Sequence, residues 1–398
     1  MNIEMLSTGD EVLYGQITDT NAGWLADTFF SHGLVMTHRS TVGDQLDALV
    51  EELKQRSLQA DVLIVNGGLG PTSDDLSAQA AAIACGVKLE LNEQWLQRIE
   101  AFFSERGRTM AASNRKQAEI PQGAEMIDNR VGTACGFAVT LNDCRIFFTP
   151  GVPSEFKVMV TEQILPRLAE QFSLPEKPLC LRLTTFGRGE SDLAAQLDSL
   201  IRPAGVTLGY RAAMPVVEIK LTGPGSEAVA MNSCWQNIRQ QLADWILFEG
   251  TEGLPAVLAR EIRQQGLTLS VSEKFTAGYL HWSLASADVP LQGSDLPAAG
   301  VETLSELAER TVSLAKHHRA SLALAVGELN EQSLGICLAT PQGTEAHQLT
   351  FNTQRHSLSA RQELISTVAM NMLLRWLQGR NSPASHSWLE VTGHLLLP

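Results

Sequence analysis

The stretch "NGGLGPTSDD" (residues 66–75) follows the apolar run "DVLIV" (residues 61–65) and precedes the helical sequence "LSAQAAAIAC". An apolar run, a glycine-rich loop and a helix in that order are typical of a buried parallel strand that turns into a covering helix. Gly67, Gly68 and Gly70 allow the backbone to turn sharply and to approach a ligand closely. Free N–H groups ahead of a helix suit a phosphate group, although a tight turn, or an aspartate that caps the following helix, explains the same residues. The loop is neither a P-loop nor a GxGxxG motif.

The chain around this loop repeats the alternation of strand and helix. The pattern predicts a strand "IEMLST" from Ile3, a helix from about residue 19, a strand "LVMTHRS", a helix over residues 46–58, a helical region over residues 92–106 and a strand "RIFFT". Short joins between such elements indicate an α/β fold with a doubly wound, mostly parallel sheet covered by helices on both faces.

The order of elements predicts three domains in 398 residues. The first spans residues 1–170, a small α+β middle module of order βαββαβ spans 175–250 after the linker "SLPEKP", and a third α/β domain spans 251–398. In the third domain we expect helices near residues 254–265, 303–317 and 355–378, and strands "LTLSVS", "SLALAVG" and "LGICLAT". We expect the tail "RNSPASHSWLEVTGHLLLP" to be only partly ordered.

Composition excludes several classes of partner. The formal net charge of -14 and the lack of a Lys/Arg cluster argue against nucleic acid. No apolar segment is long enough for a signal peptide or a membrane span, so we expect a cytoplasmic protein without a membrane partner. The six cysteines include no CxxC pair, and the adjacent His317 and His318 fit the surface end of a helix better than a metal site.

Carboxylates change the interpretation of the glycine-rich loop. Asp74 and Asp75 would repel a phosphate unless a divalent cation lay between them. Three other stretches follow predicted strands and should therefore reach the same edge of a parallel sheet. They are "STGDE" (residues 7–11), "VGD" (residues 42–44) and "TPGVPSE" (residues 149–155). Asp44 is either part of this cation site or the cap of the helix that starts at residue 45.

These motifs resemble a known family. The stretches "STGDEVLYGQITDTNAGWLA", "NGGLGPTSDDLS", "NRKQAEIPQGAEMIDNRVGTACGF" and "FFTPGVPSEFKVMV" look like the competence-induced CinA family over about residues 1–165. Ser73 and Cys135 stand where proline is commoner. The resemblance implies the molybdopterin-binding (MoaB/MogA-like) fold, in which Asp44 and Asp75 match two functional aspartates.

The resemblance also implies metal-dependent hydrolysis of the ADP-ribose pyrophosphate, which yields AMP and ribose 5-phosphate. We expect Asp44 and Asp75 to be catalytic and the metal (Mg, Mn or Co) to bind Asp44, Asp74, Asp75 and Asp10, with Glu11 as a further candidate. The small nucleotide substrate is expected to contact Ser7, Thr8, Gly9, Gly67, Gly68, Gly70, Thr72, Gly132, Thr133, Gly151 and Pro153. The alternatives are molybdopterin binding or adenylyl transfer on the same fold, and a non-catalytic scaffold. The fold also favours a homo-oligomer.

The third domain is similar to nicotinamide mononucleotide deamidase domains, but it departs from their pattern. "SEKFTAG" (residues 272–278) places Lys274 where that family has its serine nucleophile, and Ser272 lies two residues too early. A lysine cannot replace a serine that forms an acyl intermediate, because its amine is protonated at neutral pH. "AVGELNEQSLG" (residues 325–335) lacks the glycine-rich phosphate loop, and no YSN-like motif occurs in residues 285–300. We therefore expect a degenerate domain without deamidase activity.

Overall fold

The structure is a computed structural model that describes residues 1–354, 356–382, 386 and 388–398. The chain forms two compact units, Met1–Pro178 and Leu179–Pro398. The division of the chain into three domains stays a prediction.

The first unit alternates strands and helices. Its strands are β1 Ile3–Thr8, β2 Met36–Val42, β3 Val62–Asn66, β4 Leu89–Leu91, β5 Glu119–Pro121, β6 Glu125–Ile127, β7 Gly136–Leu141 and β8 Cys144–Thr149. Its helices are α1 Asp10–Leu13, α2 Thr20–Ser31, α3 Leu46–Ser57, α4 Ser77–Cys85, α5 Glu93–Glu105, α6 Pro153–Met159 and α7 Leu165–Gln171. A 3₁₀ helix spans Ala112–Ala118, and one π-helical turn, Val160–Ile164, joins α6 to α7.

The main sheet of this unit has the order β2-β1-β3-β8-β7-β6. β2, β1, β3 and β8 pair in parallel, and β7 and β6 extend the sheet beyond β8 with antiparallel pairing. The prediction of an α/β, mostly parallel sheet is confirmed. The second strand was placed wrongly at "LVMTHRS", since it begins at Met36 and continues to Val42.

Helices cover both faces of this sheet, because every residue of β3 is buried and successive side chains point to opposite faces. Val62 and Ile64 pack with Phe29 of α2 and Phe156 of α6. On the other face, Leu63 and Val65 join the core formed with Leu49, Leu53, Ala80, Ala81 and Trp95 of α3, α4 and α5. This continuous apolar run, read in the sequence as "VLIV", anchors the loop that follows it.

The second unit contains two further sheets. Its strands are β9 Pro178–Phe186, β10 Thr207–Ala213, β11 Val216–Pro224, β12 Ile246–Glu249, β13 Leu269–Glu273, β14 Leu291–Asp295, β15 Leu322–Val326, β16 Ser333–Thr340, β17 Gly343–Phe351 and β18 Leu389–Leu397. Its helices are α8 Glu190–Leu197, α9 Ala228–Leu242, α10 Leu254–Gln264, α11 Tyr279–Ser286, α12 Leu304–His318 and α13 Leu358–Leu377. A 3₁₀ turn, Gly225–Glu227, precedes α9.

Strands β9 to β12 form one sheet in the order β10-β11-β9-β12, and the remaining strands form a second in the order β14-β13-β15-β16-β17-β18. The βαββαβ order of the middle module is as predicted. The sequence interpretation missed α11, β14 and β17, and it did not identify the strand at the end of the tail. Residues 389–397 form the complete strand β18, whereas residues 383–385 and 387 of the tail lie outside the described residues. Among the helices described, none is both long and apolar enough to cross a membrane.

Candidate functional site

The carboxyl ends of β1, β2, β3 and β8 meet at one cavity of about 570 Å³. The prediction that these four strand ends share one edge of the sheet is confirmed. The predicted site residues that line the cavity are Ser7, Thr8, Gly9, Asp44, Gly67, Gly68, Gly70, Thr72, Asp74, Asp75, Thr133, Gly151 and Pro153. Asp10 and Gly132 are not in the cavity wall, but each contacts a residue that is: Asp10 hydrogen-bonds with Asp44, and Gly132 lies against Glu155. The chemical roles of all these residues stay predictions.

A buried amide network fixes the floor of the cavity. The Asn66 side chain, 5% exposed, donates to the Pro150 carbonyl oxygen at 2.7 Å and to Thr149 Oγ1 at 3.3 Å. Asn21 donates to Asn66 Oδ1 at 3.0 Å and to the Gly151 carbonyl oxygen at 2.8 Å. The network therefore ties the end of β3 to the end of β8 and to helix α2.

Glycine is required in the loop after β3 for two separate reasons. Gly67 and Gly68 have positive φ values of 113° and 67°, which side chains with a Cβ rarely adopt. A Cβ on Gly67 would also lie 2.6 Å from Thr8 Oγ1, and one on Gly68 would lie 2.4 Å from Ser77 Oγ. Ser77 in turn holds the loop by donating to the Gly67 carbonyl oxygen at 2.7 Å.

This loop presents unpaired backbone donors to the cavity. Gly67 donates its N–H to the Thr149 carbonyl oxygen at 2.9 Å. The N–H groups of Gly68, Leu69 and Gly70 donate to no acceptor within residues 1–178, all of which the structure describes. Free backbone N–H groups in a loop that lines a cavity are a common feature of anion sites.

One carboxylate oxygen of Asp75 stabilises the conformation of the loop. Its Oδ2 accepts hydrogen bonds from the Thr72 N–H at 2.8 Å and from the Thr72 hydroxyl. Helix α4 begins at Ser77 after the N-cap residue Leu76, without a side-chain cap. The alternative that an aspartate caps this helix is therefore wrong. Lys116 closes the outside of the loop by donating to the Thr72 carbonyl oxygen at 2.5 Å.

Asp44 belongs to a carboxylate cluster. Its Oδ2 accepts from the Asp10 N–H at 3.1 Å, and the Asp44 N–H donates to Asp10 Oδ1 at 3.2 Å. The N-cap residue of α3 is Gln45, so the alternative that Asp44 caps this helix is also wrong. Burial raises the pKa of Asp44, and the charges of Asp10, Glu11 and Asp74 raise it further, against the lowering effect of the Asp10 N–H.

The remaining predicted residues complete the wall. Ser7 donates to Asp19 at 2.6 Å, and Asp19 caps α2 by accepting from the Ala22 N–H. Gly132 leaves space for Glu155, because a Cβ there would lie 2.1 Å from Glu155 Oε2. Glu155 lines the cavity and is held by Asn129 at 2.7 Å.

In the second unit, Lys274 stands at the position where the family resemblance leads us to expect a serine, and it belongs to a charged network. Lys274 is 9% exposed, and its Nζ lies 2.9 Å from the Gly300 carbonyl oxygen and 3.5 Å from Glu302. Arg310 forms two bonds with Glu302, at 2.7 and 2.9 Å, and a third with the hydroxyl of Ser272. Ser272 itself is fully buried. Ser272 and Lys274 are therefore both held in this network.

Comparison with known proteins assigns the family. A family model described as a probable molybdopterin binding domain matches residues 4–170. A CinA-like protein of Shigella flexneri is 56% identical over 397 residues, which cover 100% of this chain and 99% of that protein. The chain belongs to the CinA-like family. Another member with the same identity and coverage, from Escherichia coli (strain K12), is named NMN amidohydrolase-like protein YfaY.

One solved structure, titled the protein CinA with unknown function from Thermoplasma acidophilum, is 28% identical and covers 42% of this chain and 96% of its own, with a TM-score of 0.39. The resemblance to the CinA family that the sequence motifs indicated is confirmed by the full-length relatives. In this CinA-like chain, the sequence interpretation missed Asn21, Asp19 and Lys116 as parts of the site. A polar residue directly after the apolar run, Asn66, was the available signal for the buried network.

Proposed function

We propose that the first unit hydrolyses the pyrophosphate of ADP-ribose or a related nucleotide diphosphate with a divalent metal. One observation carries this proposal: unpaired N–H donors and carboxylates face the same cavity. The acidic residues of the wall are Glu11, Asp19, Asp44, Asp74, Asp75 and Glu155, and the wall contains no Lys or Arg. A diphosphate would be repelled from such a wall unless a cation accompanied it.

The donor set fits a hard divalent cation. Asp44, Asp74 and Asp75 offer carboxylate oxygens, which Mg²⁺ and Mn²⁺ prefer. Such an ion would neutralise the diphosphate and increase the acidity of the attacking water. Asp75 can serve both the loop and the ion, because its Oδ2 holds Thr72 while its Oδ1 accepts no hydrogen bond within residues 1–178.

The residues of the chain itself would bind and orient the substrate. The N–H groups of Gly68 and Gly70 are placed to donate to phosphate oxygens. Asn21 Oδ1 is buried without a hydrogen-bond partner and lines the cavity, so it is available to accept from a substrate hydroxyl. Both features suit a sugar diphosphate better than an apolar ligand.

A direct test is to incubate the purified full chain with ADP-ribose and Mg²⁺, Mn²⁺ or Co²⁺ and to separate the nucleotides by chromatography. We expect AMP and ribose 5-phosphate in equal amounts. Asp44→Asn and Asp75→Asn should each reduce the rate by on the order of 10²–10³ while keeping the hydrogen bonds that Asp10 and Thr72 make with these side chains. Asp143→Asn, in the turn before β8, is the matched control. Full activity of Asp75→Asn would show that the Asp75 carboxylate is not needed for catalysis or for binding the metal.

Molybdopterin binding or adenylyl transfer is the second candidate, favoured by the family model over residues 4–170. It is tested in parallel with molybdopterin and ATP. Formation of an adenylylated product without hydrolysis of ADP-ribose would favour it over the first proposal. Inactivity in both assays would favour a non-catalytic scaffold. The proposed cytoplasmic location and homo-oligomeric state are separate questions, checked by fractionation and by light scattering.

For the third domain we propose that deamidase activity is absent. The support is the network in which Lys274, Glu302 and Arg310 occupy the space around the expected nucleophile. Release of ammonia from nicotinamide mononucleotide by the purified protein, in proportion to its concentration, would contradict this proposal.

A further inference from the structure

Three potential metal ligands lie together on the last two strands of the second unit, far along the chain from the cavity described above. They are Glu345 and His347 of β17 and His394 of β18. His347 and His394 are direct partners in the antiparallel pairing, and Glu345 lies two residues before His347 on the same face. The two imidazole rings are stacked, with centroids 4.6 Å apart and planes 20° apart.

We propose that Glu345, His347 and His394 form a zinc-binding site. Two imidazoles and one carboxylate are a common ligand set of zinc sites in which water takes the fourth position. Nitrogen ligands also favour Zn²⁺ over Mg²⁺ or Ca²⁺, which take oxygen ligands. The first unit's cavity, with carboxylates only, therefore differs from this site in the metal that it selects.

The distances fit a bound zinc ion without a large rearrangement. Nε2 of His347 lies 2.9 Å from Glu345 Oε1, and Nε2 of His394 lies 3.1 Å from the same oxygen. All candidate ligand atoms lie within 4.8 Å of one another. In a tetrahedral site with bonds of about 2.0–2.1 Å, ligand atoms are separated by about 3.3 Å. Small rotations of the side chains would therefore open the space for the ion.

The carboxylate is held in place from outside the cluster. Ser382 donates to Glu345 Oε2 at 2.6 Å, which leaves Oε1 facing the two imidazoles. Hydrogen bonds to ligating carboxylates are a regular feature of metal sites, because they fix the orientation of the ligand.

The exposure of the ligands suits an ion that enters from solvent. The His347 side chain is 8% exposed, that of Glu345 26% and that of His394 44%. One ligand is thus fixed in the interior, while His394 lies at the surface and can turn to admit the ion. A water molecule can reach the fourth position from the same side.

The test uses the full chain after dialysis against a chelator. Zinc is titrated in competition with a chromophoric chelator, and cobalt is used as a spectroscopic substitute. We expect His394→Ala to lose on the order of 100-fold or more in zinc affinity, and Ser382→Ala about 10-fold, because Ser382 only orients the Glu345 carboxylate through a hydrogen bond. Imidazole ligands in a tetrahedral site should give cobalt strong visible absorption, which an all-carboxylate site would not give.

The matched control is His317→Ala. His317 and His318 are adjacent at the end of α12 with centroids 4.8 Å apart, but they form no cluster with a carboxylate among the described residues. His317→Ala should bind zinc like the unmodified chain. Because the first unit's site is intact in every variant, metal bound there contributes equally and cancels in the comparison.

Glu345→Gln keeps the shape of the side chain and should lose affinity as His394→Ala does, which guards against a folding defect in either variant. Equal zinc affinity in the unmodified chain, His394→Ala and Glu345→Gln would overturn the proposal, as would the absence of strong visible absorption with cobalt.

Discussion

Replacing Asn66 by aspartate is the sharpest test of the buried network below the candidate site. The substitution preserves the shape of the side chain but removes both donors of Nδ2. The Pro150 carbonyl oxygen, 2.7 Å away, would then face a carboxylate oxygen instead of an N–H group. Thr149 cannot compensate, because its hydroxyl already donates to the Val65 carbonyl oxygen at 2.9 Å. Asn21 would remain as the one donor to the new carboxylate.

The cost follows from burial. A buried carbonyl group left without its donor costs about 1–3 kcal/mol. Burial of the charged form would raise the pKa of the new carboxyl by about 2 units, and each unit costs about 1.4 kcal/mol at neutral pH. We therefore expect Asn66→Asp to destabilise the first unit by about 4–6 kcal/mol at pH 7. Since the raised pKa belongs to the folded state, the penalty is complete above that pKa and decreases as the pH falls through it.

Hydrogen exchange followed by mass spectrometry can measure this effect on peptides from β3 and β8. Asn92→Asp is the control, because Asn92 caps α5 through its side-chain oxygen and aspartate caps a helix equally well. The control should change the unfolding free energy by no more than about 0.5 kcal/mol. A change within about 1 kcal/mol for Asn66→Asp, independent of pH, would refute the assignment of Nδ2 as a required donor.

Three further predictions concern the carboxylate cluster, the third domain and a buried histidine. Asp44→Asn should reduce kcat/KM for ADP-ribose by on the order of 10²–10³. Burial and nearby charges raise the pKa of Asp44. As the pH falls, the activity of the unmodified chain should therefore begin to decrease at a pH above the ordinary aspartate range. Lys274→Ser should not give nicotinamide mononucleotide deamidase activity, because Arg310 and Glu302 still fill the space. Burial lowers the pKa of His386 to about 4, so the second unit should lose about 3 kcal/mol of stability between pH 6.5 and pH 4, and His386→Phe should lose less.

Each of these has a distinct contrary outcome. A pH profile of kcat/KM with an acidic limb at the usual aspartate pKa would contradict the environment assigned to Asp44. Ammonia release by Lys274→Ser would show that the surrounding residues still support catalysis. For His386 the direction of the pH effect on stability is fixed. Because its pKa is lower in the folded state than the unfolded value of 6.5, stability is complete above pH 6.5 and decreases below it. If urea unfolding shows that His386→Phe and the unmodified chain lose the same stability at acid pH, the loss does not come from protonation of His386.

The first unit was predictable because its strands carry strong local signals. A glycine or acidic motif follows each of the four strands, so their meeting at one sheet edge followed from the parallel topology. The roles of Asp44 and Asp75 as helix caps could not be excluded from sequence, since capping depends on the position of neighbouring N–H groups. For Asp44 the decisive neighbour is Asp10, 34 residues away.

The fold of the second unit was harder to predict from the sequence, for a physical reason. β17 and β18 pair across an insertion that includes the whole of α13, so the contacts that define them are distant in sequence. The alternation in "LEVTGHLLL" is interrupted by three apolar residues at its end, which obscures the pattern of a strand. The Glu345, His347 and His394 cluster could not be read from spacing, because the pairing brings together residues that are 49 positions apart.

The network around Lys274 has an evolutionary consequence. Restoring a serine nucleophile would also require clearing Glu302 and Arg310, whose side chains are 11% and 19% exposed. Removing Glu302 would leave two mostly buried cations, Lys274 and Arg310, without their shared carboxylate, at a cost of about 3–5 kcal/mol, which is a large part of the stability of a typical domain. A change at position 274 alone therefore leaves the Arg310–Glu302 pair in place, and a change at Glu302 first would leave two buried cations unpaired with a carboxylate.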